Sequence, residues 1–353
     1  MPSTGDNTKL ALTDLFPEEI AHSLGLKPFQ GAQIFRWIHK KQEFDFDAMS
    51  DLSKDVRRLL HERCEGARLE LVRMSASPHS QGTKKALLRL SDGETVESVL
   101  IRDGDRVTIC LSTQVGCAVK CAFCATGLSG YTRNLTPGEI VEQALYLVRD
   151  EQLGERTPNI VYMGMGEPFR NYDATTRSIR LLMRPEGLHI GARKITVSTS
   201  GDIPGIQRFS DEDWQVRLSL SLHAANDALR TRLVPLNKKY PLGPLMESIR
   251  DYVGATGRHI TFEWTLLEGE NDAPEQADEL ARLVKGLPAT VNLIPYNPVA
   301  GTGFNPPERT VCEAFRARLE QRGINATLRK EQGQDIDAAC GQLRRQVLDA
   351  TTS

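Results

Sequence analysis

The sequence predicts an α/β chain built as a partial (β/α)6 barrel, preceded by a small helical accessory module and a β-hairpin linker. Three observations carry this. Six β-rich runs, VTICLST, NIVYMGM, KITVSTS, VRLSLSLH, HITFEWTLL and VNLIPY, recur between Val107 and Tyr296 with helical segments between them, the alternation that implies a parallel sheet. The first 66 residues instead carry short amphipathic helices. Between them, residues 67–102 show strand-like alternation around a turn.

In chain order, PEEIAHSLGL, PFQGAQIFRWIHKK and LSKDVRRLLHERC read as helices separated by Pro, Gly and Asp. KKALLRL and TVESVLI, joined by Ser91-Asp92-Gly93, read as a hairpin that carries Glu97. The barrel is expected over residues 103–335, and a C-terminal segment over 336–353 carries Cys340. One helix start is legible from its chemistry. Thr136-Pro137-Gly138-Glu139 sets a capping hydroxyl, a first-turn proline and a reciprocal glutamate, and Ile140, Val141, Ala144, Leu145 and Val148 form the buried stripe. Six strands are too few for the closed eight-stranded barrel, so one side is expected to open for a large substrate.

Length and composition set bounds on function. The 353 residues exceed the roughly 250 of one α/β barrel and leave room for an accessory module. Apolar residues at 40% and charged residues at 25% suffice for a core without staples. No window approaches the roughly 18 apolar residues of a membrane span, and MPSTGDNTKL has no apolar secretory core; the expected compartment is the cytoplasm. A net charge of −2 gives no global attraction to nucleic acid, so RNA contact would rest on local pairs: Lys40 with Lys41, Arg57 with Arg58, Arg329 with Lys330, Arg344 with Arg345.

Seven cysteines form an odd set, and Cys117, Cys121 and Cys124 crowd into one loop after a predicted strand. That is poor disulfide design, a good metal-ligand set, and the position at which β/α enzymes place chemistry. Structural zinc also takes closely spaced cysteines, but a closed zinc site takes a fourth protein ligand, and no Cys or His follows at short spacing. Three thiolates on a four-iron, four-sulfur cluster leave one iron open.

The CxxxCxxC spacing is the signature of radical S-adenosylmethionine (SAM) enzymes. QVGCAVKCAFCATG, GMGEPFRN, STSG, SLHAANDALR, NLIPYNP and DIDAACGQL, in that order, resemble the RlmN family from about Leu12 to Asp349. The resemblance implies a radical SAM barrel and methylation of adenine carbon 2, in 23S rRNA at the peptidyl-transferase centre and in tRNA just 3′ of the anticodon. It implies a 4Fe-4S cluster on Cys117, Cys121 and Cys124, and two SAM molecules per turnover. It gives SAM contacts to Gly166, Glu167, Ser198, Ser221, Leu222, His223 and Asn297. Cys340 would carry the methyl group and a transient RNA adduct, Glu97 would take the adenine proton, and Cys110 would release the product as a Cys110–Cys340 disulfide. An electron donor such as flavodoxin or ferredoxin and a thiol reductant are then needed.

Several of these residues also have plainer readings. His223 reads as a binding residue rather than a proton carrier, and Met163 and Met165 as core. Cys64 and Cys312 have no role in the family. Cys110 could be a buried strand thiol and Glu97 an exposed strand charge. For Cys340, Gly341 and a short helix in QLRRQVLD would place the thiol near a helix N-terminus and favour its thiolate. The alternatives are a Cfr-like enzyme acting at adenine carbon 8, a radical SAM enzyme with another substrate, and a non-catalytic iron–sulfur RNA-binding protein.

Overall fold

A computed structural model describes residues 9–80, 82–153, 156–330 and 332–344. Its frame is one ten-stranded sheet: β1 (Glu70–Ala76), β2 (Lys84–Arg89), β3 (Thr95–Asp103), β4 (Arg106–Cys110), β5 (Asn159–Tyr162), β6 (Ile195–Thr199), β7 (Arg217–Ser221), β8 (Ile260–Leu266), β9 (Ala289–Pro295) and β10 (Ala326–Leu328). Strands neighbour one another in chain order from β1 to β10. The first three pairings are antiparallel and all later ones parallel.

The six expected strands are β4 to β9, and two differences matter. A seventh parallel strand, β10, pairs Val291 with Ala326 and Leu293 with Leu328. The expected hairpin is β2–β3, but β1 pairs with β2 and β3 with β4, so this segment continues the sheet. β3 is buried at Thr95–Leu100 because both its faces are covered. Ser98 Oγ donates to Gln143 on the helix Pro137–Glu151. That helix starts as expected: Thr136 Oγ1 accepts from Glu139 N at 3.2 Å, and Glu139 Oε2 from Thr136 N at 2.8 Å.

The N-terminal helices are α1 (Pro17–Leu24), α2 (Pro28–His39) and α3 (Lys54–Arg63). Ile20, Leu24, Ile34, Phe35, Ile38 and Leu60 belong to the same apolar cluster as the barrel core. Glu142, fully buried, bolts the two parts together. It accepts from Thr13 Oγ1 at 2.7 Å and from the amides of Arg68 and Leu69 at 2.8 Å each. Burial pushes its pKa up to about 7 against those hydrogen bonds.

The segment after β10 straps across the molecule. On the antiparallel side, Ser77 Oγ donates to Asp335 at 2.8 Å, Gly333 N to Ser80 Oγ at 2.9 Å, Lys85 Nζ to Asp337 O at 3.0 Å and Arg344 N to Glu97 Oε2 at 2.9 Å. On the parallel side, Asn297 Nδ2 donates to Cys340 O at 3.3 Å. The helix expected behind Gly341 is not formed at Gln342–Arg344, and its remainder lies outside the described residues. No helix among the described residues is long and apolar enough to cross a membrane.

Candidate active site

The cysteine loop leaves the short strand Gln114–Gly116, which pairs antiparallel with Tyr131–Asn134. Gly116 has φ +75°, and a Cβ there would lie 1.8 Å from Gly130 O, so only glycine closes the base of this loop. Cys117 N donates to Gly130 O at 2.7 Å. Lys120, between the first two cysteines, has φ +59°, a costly conformation of the kind that clusters at functional sites.

All three thiols are partly exposed and free. They pack against Val119, Phe123, Leu233, Val234, Leu236, Leu267 and Tyr296. Burial, the neighbouring cysteines and Glu167 push Cys117 up to about 12 and Cys121 well above its ordinary value. Soft ligands in an apolar shell, reluctant to ionise alone, suit a group that brings positive charge. Among the described residues no three His, Cys, Asp or Glu side chains surround a single-ion position. A cube of four irons spans more room than one ion.

Beside the loop, Gly166 has φ +102°, and its Cβ would meet Gln114 at 2.6 Å. The next residue, Glu167, is buried with no ion-pair partner among the described residues. Its Oε2 accepts from Ser200 N at 2.8 Å and Ser200 Oγ at 2.7 Å, and its Oε1 from Phe169 N at 3.2 Å. Burial raises its pKa. Thr199 donates to the carboxylate as well, so its partners among the described residues are all neutral donors. An ammonium group placed here would bring the counter-charge that this carboxylate lacks, so the site fits SAM.

The strand ends β6 and β7 bring Ser198 Oγ to 3.2 Å from Ser221 Oγ. The Leu222 side chain is fully buried, so only its backbone can reach a ligand. His223 Nδ1 accepts from Thr265 N at 2.9 Å, and its ring meets Phe123 edge-on at 4.8 Å. Burial and Arg230 lower its pKa to about 3, so it is a neutral imidazole with its proton on Nε2, in keeping with a binding role. Met165 is core, whereas Met163 lines the cavity described below.

Arg230 is the residue this shelf depends on that sequence reasoning missed. It is fully buried and donates to Leu222 O at 3.1 Å, Asn237 Oδ1 at 2.9 Å and Ser200 O at 2.7 Å, tying the ends of β6 and β7 together. Its only sequence signal was its place at the end of SLHAANDALR.

Cys110, on β4, and Cys340, on the strap, lie close enough that each thiolate would repel the other. Burial and then Cys340 push Cys110 up to about 12. Glu97 is fully buried rather than an exposed strand charge. It pairs with Lys85 Nζ at 3.0 Å and accepts from Arg344 N. Arg329, expected in a basic surface pair with Lys330, instead turns inward, with Nη1 3.0 Å from Cys340 Sγ.

Cys340 and Arg329 line one end of a cavity of ≈ 960 Å³ that runs along the barrel interior past Ser219, Glu263 and Asn292. Its other end, at the N-terminal ends of the strands, carries Arg106, Arg193 and Arg217, all exposed. Among the described residues these three guanidiniums have no hydrogen-bond or ion-pair partner, whereas many of the chain's other arginines, such as Arg133, Arg177 and Arg318, are paired. Unpaired cations around a cavity mouth suit phosphate groups.

Comparison with known proteins agrees with this geometry. Residues 111–283 match the model of the radical SAM superfamily, and residues 10–65 that of the ribosomal RNA large subunit methyltransferase N-terminal domain. The chain is similar to probable dual-specificity RNA methyltransferases RlmN. That of Heliobacterium modesticaldum is 47% identical, over 94% of this chain and 89% of that protein; one of Protochlamydia amoebophila is 48% identical, over 93% and 92%. The crystal structure of a radical SAM methyltransferase from Sphaerobacter thermophilus superposes with a TM-score of 0.91 at 48% identity, covering 95% of this chain and 99% of that one. A radical SAM barrel implies a 4Fe-4S cluster and use of SAM, and with identity this high over nearly the full length, the chain belongs to the RlmN family of radical SAM methyltransferases.

Proposed function

We propose that this protein methylates carbon 2 of adenine in 23S rRNA and in tRNA, through an S-methylated Cys340 and a transient protein–RNA adduct. The observation that carries the reading is that Cys110, distant in sequence, lies within electrostatic reach of Cys340, on the strap that also holds Glu97. A binding protein has no use for that set. The names of the relatives, dual-specificity RNA methyltransferases, support both RNA classes.

When bound on Cys117, Cys121 and Cys124, a 4Fe-4S cluster with SAM on its open iron supplies the one-electron cleavage that turns SAM into a carbon radical. The chain's own residues do the rest. Glu167 meets the SAM ammonium, while Ser198, Ser221, the Leu222 backbone, His223 and Asn297 line the shelf around it. Cys340 would accept a methyl group from a first SAM; the carbon radical derived from a second SAM would remove one hydrogen atom from that S-methyl group, and the methylene radical left on Cys340 would add to carbon 2 of adenine. Carbon 2 of adenine is electron-poor and has no lone pair with which to attack SAM, so this detour is needed. Glu97, a carboxylate beside Lys85, takes the adenine proton. With the adduct's unpaired electron passed back to the one-electron carrier, Cys110 would attack the sulfur of Cys340: the S–S bond forms as the S–CH₂ bond breaks, and the freed carbon takes a proton, leaving methylated RNA and a disulfide. A one-electron donor such as flavodoxin or ferredoxin and a thiol reductant complete the cycle.

RNA contact is assigned to the mouth arginines Arg106, Arg193 and Arg217 and to the N-terminal module of residues 1–66. Phosphate contacts there would position the RNA while the chemistry takes place deeper in the cavity. The test is nucleoside mass spectrometry on 23S rRNA fragments and tRNA incubated anaerobically with reconstituted enzyme, SAM and reductant. The expected product is 2-methyladenosine in both. 8-Methyladenosine would move the reading to a Cfr-like enzyme, and SAM cleavage with no RNA product would overturn the RNA assignment.

A further inference from the structure

The helix that would have favoured a thiolate at Cys340 is not formed at Gln342–Arg344, yet methyl transfer to sulfur needs the thiolate as nucleophile. Something else must supply the positive charge. The groups around Cys340 on the elements packed there are few. From beyond β10 comes Arg329, Nη1 at 3.0 Å from the sulfur. β4 contributes Cys110, and β8 contributes Glu263, which bears on Arg329 and is held by Asn292. The hairpin contributes the closed Lys85–Glu97 pair. The strap itself brings Asp337, 3.7 Å from Arg344.

We propose that Arg329 is a positioning residue that holds the Cys340 sulfur as a thiolate aimed into the cavity. One contact carries this. An Arg–sulfur contact of this length is a charge-assisted hydrogen bond, and the guanidinium is delocalised and stays charged when buried. Arg329 also bears on Cys110, where it offsets only part of the burial and the Cys340 charge that push that thiol up. In the first step the Cys340 thiolate takes CH₃⁺ from the SAM sulfonium: one S–C bond forms and one breaks, giving a neutral thioether and S-adenosylhomocysteine. This second part rests on the function proposed above; the state of the thiol does not.

The experiment separates the two. Reconstituted holoenzyme is pulsed with iodoacetamide from pH 5.5 to 9.5 and digested with trypsin, and alkylation is read on the peptide 331–344, in which Cys340 is the sole cysteine. Cleavage after Lys330 survives any change at Arg329. Arg329→Met should raise the midpoint of the alkylation profile by about one pH unit and cut the rate at pH 7 roughly tenfold. Arg329→Lys should recover part of the loss. An unchanged midpoint in Arg329→Met with normal iron content overturns the proposal. In the same digests, SAM without iodoacetamide should add one methyl group to this peptide, more slowly in Arg329→Met. Absence of that methyl group in the unaltered protein would sink the function reading while leaving the alkylation result standing.

Discussion

Two sets of cysteines in this molecule solve opposite problems. Cys117, Cys121 and Cys124 sit within one loop closed by Gly116, in an apolar shell, and among the described residues no cation hydrogen-bonds to them, although Arg230 lies within electrostatic reach of Cys121. Cys110 and Cys340 come from a buried strand and a distant strap, and a guanidinium touches the second of them. On the function proposed above, the first set, built by local spacing, lacks only the charge a cluster would bring. The second is built by tertiary structure and carries its own charge. Thiols that bind a metal group can wait for it to ionise them, whereas thiols that act as nucleophiles need ionisation designed into the protein.

The largest effect should come from the first set. Any one of Cys117→Ala, Cys121→Ala and Cys124→Ala should reduce cluster iron from about four per chain to near none and abolish SAM cleavage, read by iron assay and by release of 5′-deoxyadenosine. Full iron content in the triple variant would detach the cluster from this loop.

Loosening the strap should have a smaller effect, confined to the second set. Asp335→Ala removes the acceptor of Ser77 Oγ at 2.8 Å, a hydrogen bond to a charged group worth about 1.5–3 kcal/mol. RNA methylation should fall several-fold with iron content and uncoupled SAM cleavage unchanged. Equal losses of both activities would mean that the two sets are not separable.

The smallest effect is a stability slope that contrasts the site with the N-terminal module. Burial holds both His223 and His39 near pKa 3, below the unfolded value of about 6.5. Between those values the unfolded chain binds more protons, so stability is fully present above about pH 6.5 and falls as the pH drops. The loss reaches about 2 kcal/mol per histidine by pH 5. Urea midpoints at pH 7 and 5 should therefore draw closer together in His39→Gln than in the unaltered protein. An unchanged difference would mean that His39 is not buried in its neutral form.

The same contrast explains what could be read in advance. β4 to β9 were legible because each is a run of β-branched and apolar residues between helical segments, and the cluster loop because its spacing is local. β10 was not, since Ala326–Leu328 is too short to show a pattern, and β1 was not, because Glu70–Ala76 is an edge strand whose residues are mostly exposed or half-buried. The burial of Glu97 was invisible because its partners lie on the neighbouring strand at Lys85 and on the strap at Arg344. Arg329 was misread for the same reason. Beside Lys330 it looks like a surface pair, and only the return of the strap turns it toward sulfur.

The account rests on a division of labour between two chemically identical residues. Cys340→Ala removes the methyl carrier and should give neither adduct nor product. Cys110→Ala leaves methylation and addition intact but removes the releasing thiol, so a protein–RNA crosslink should accumulate. The decisive measurement is a denaturing gel of both variants after anaerobic incubation with RNA, SAM and reductant, with nuclease collapsing any shifted band. The account predicts a nuclease-sensitive band for Cys110→Ala alone; turnover by Cys110→Ala at the unaltered rate with no crosslink would contradict it.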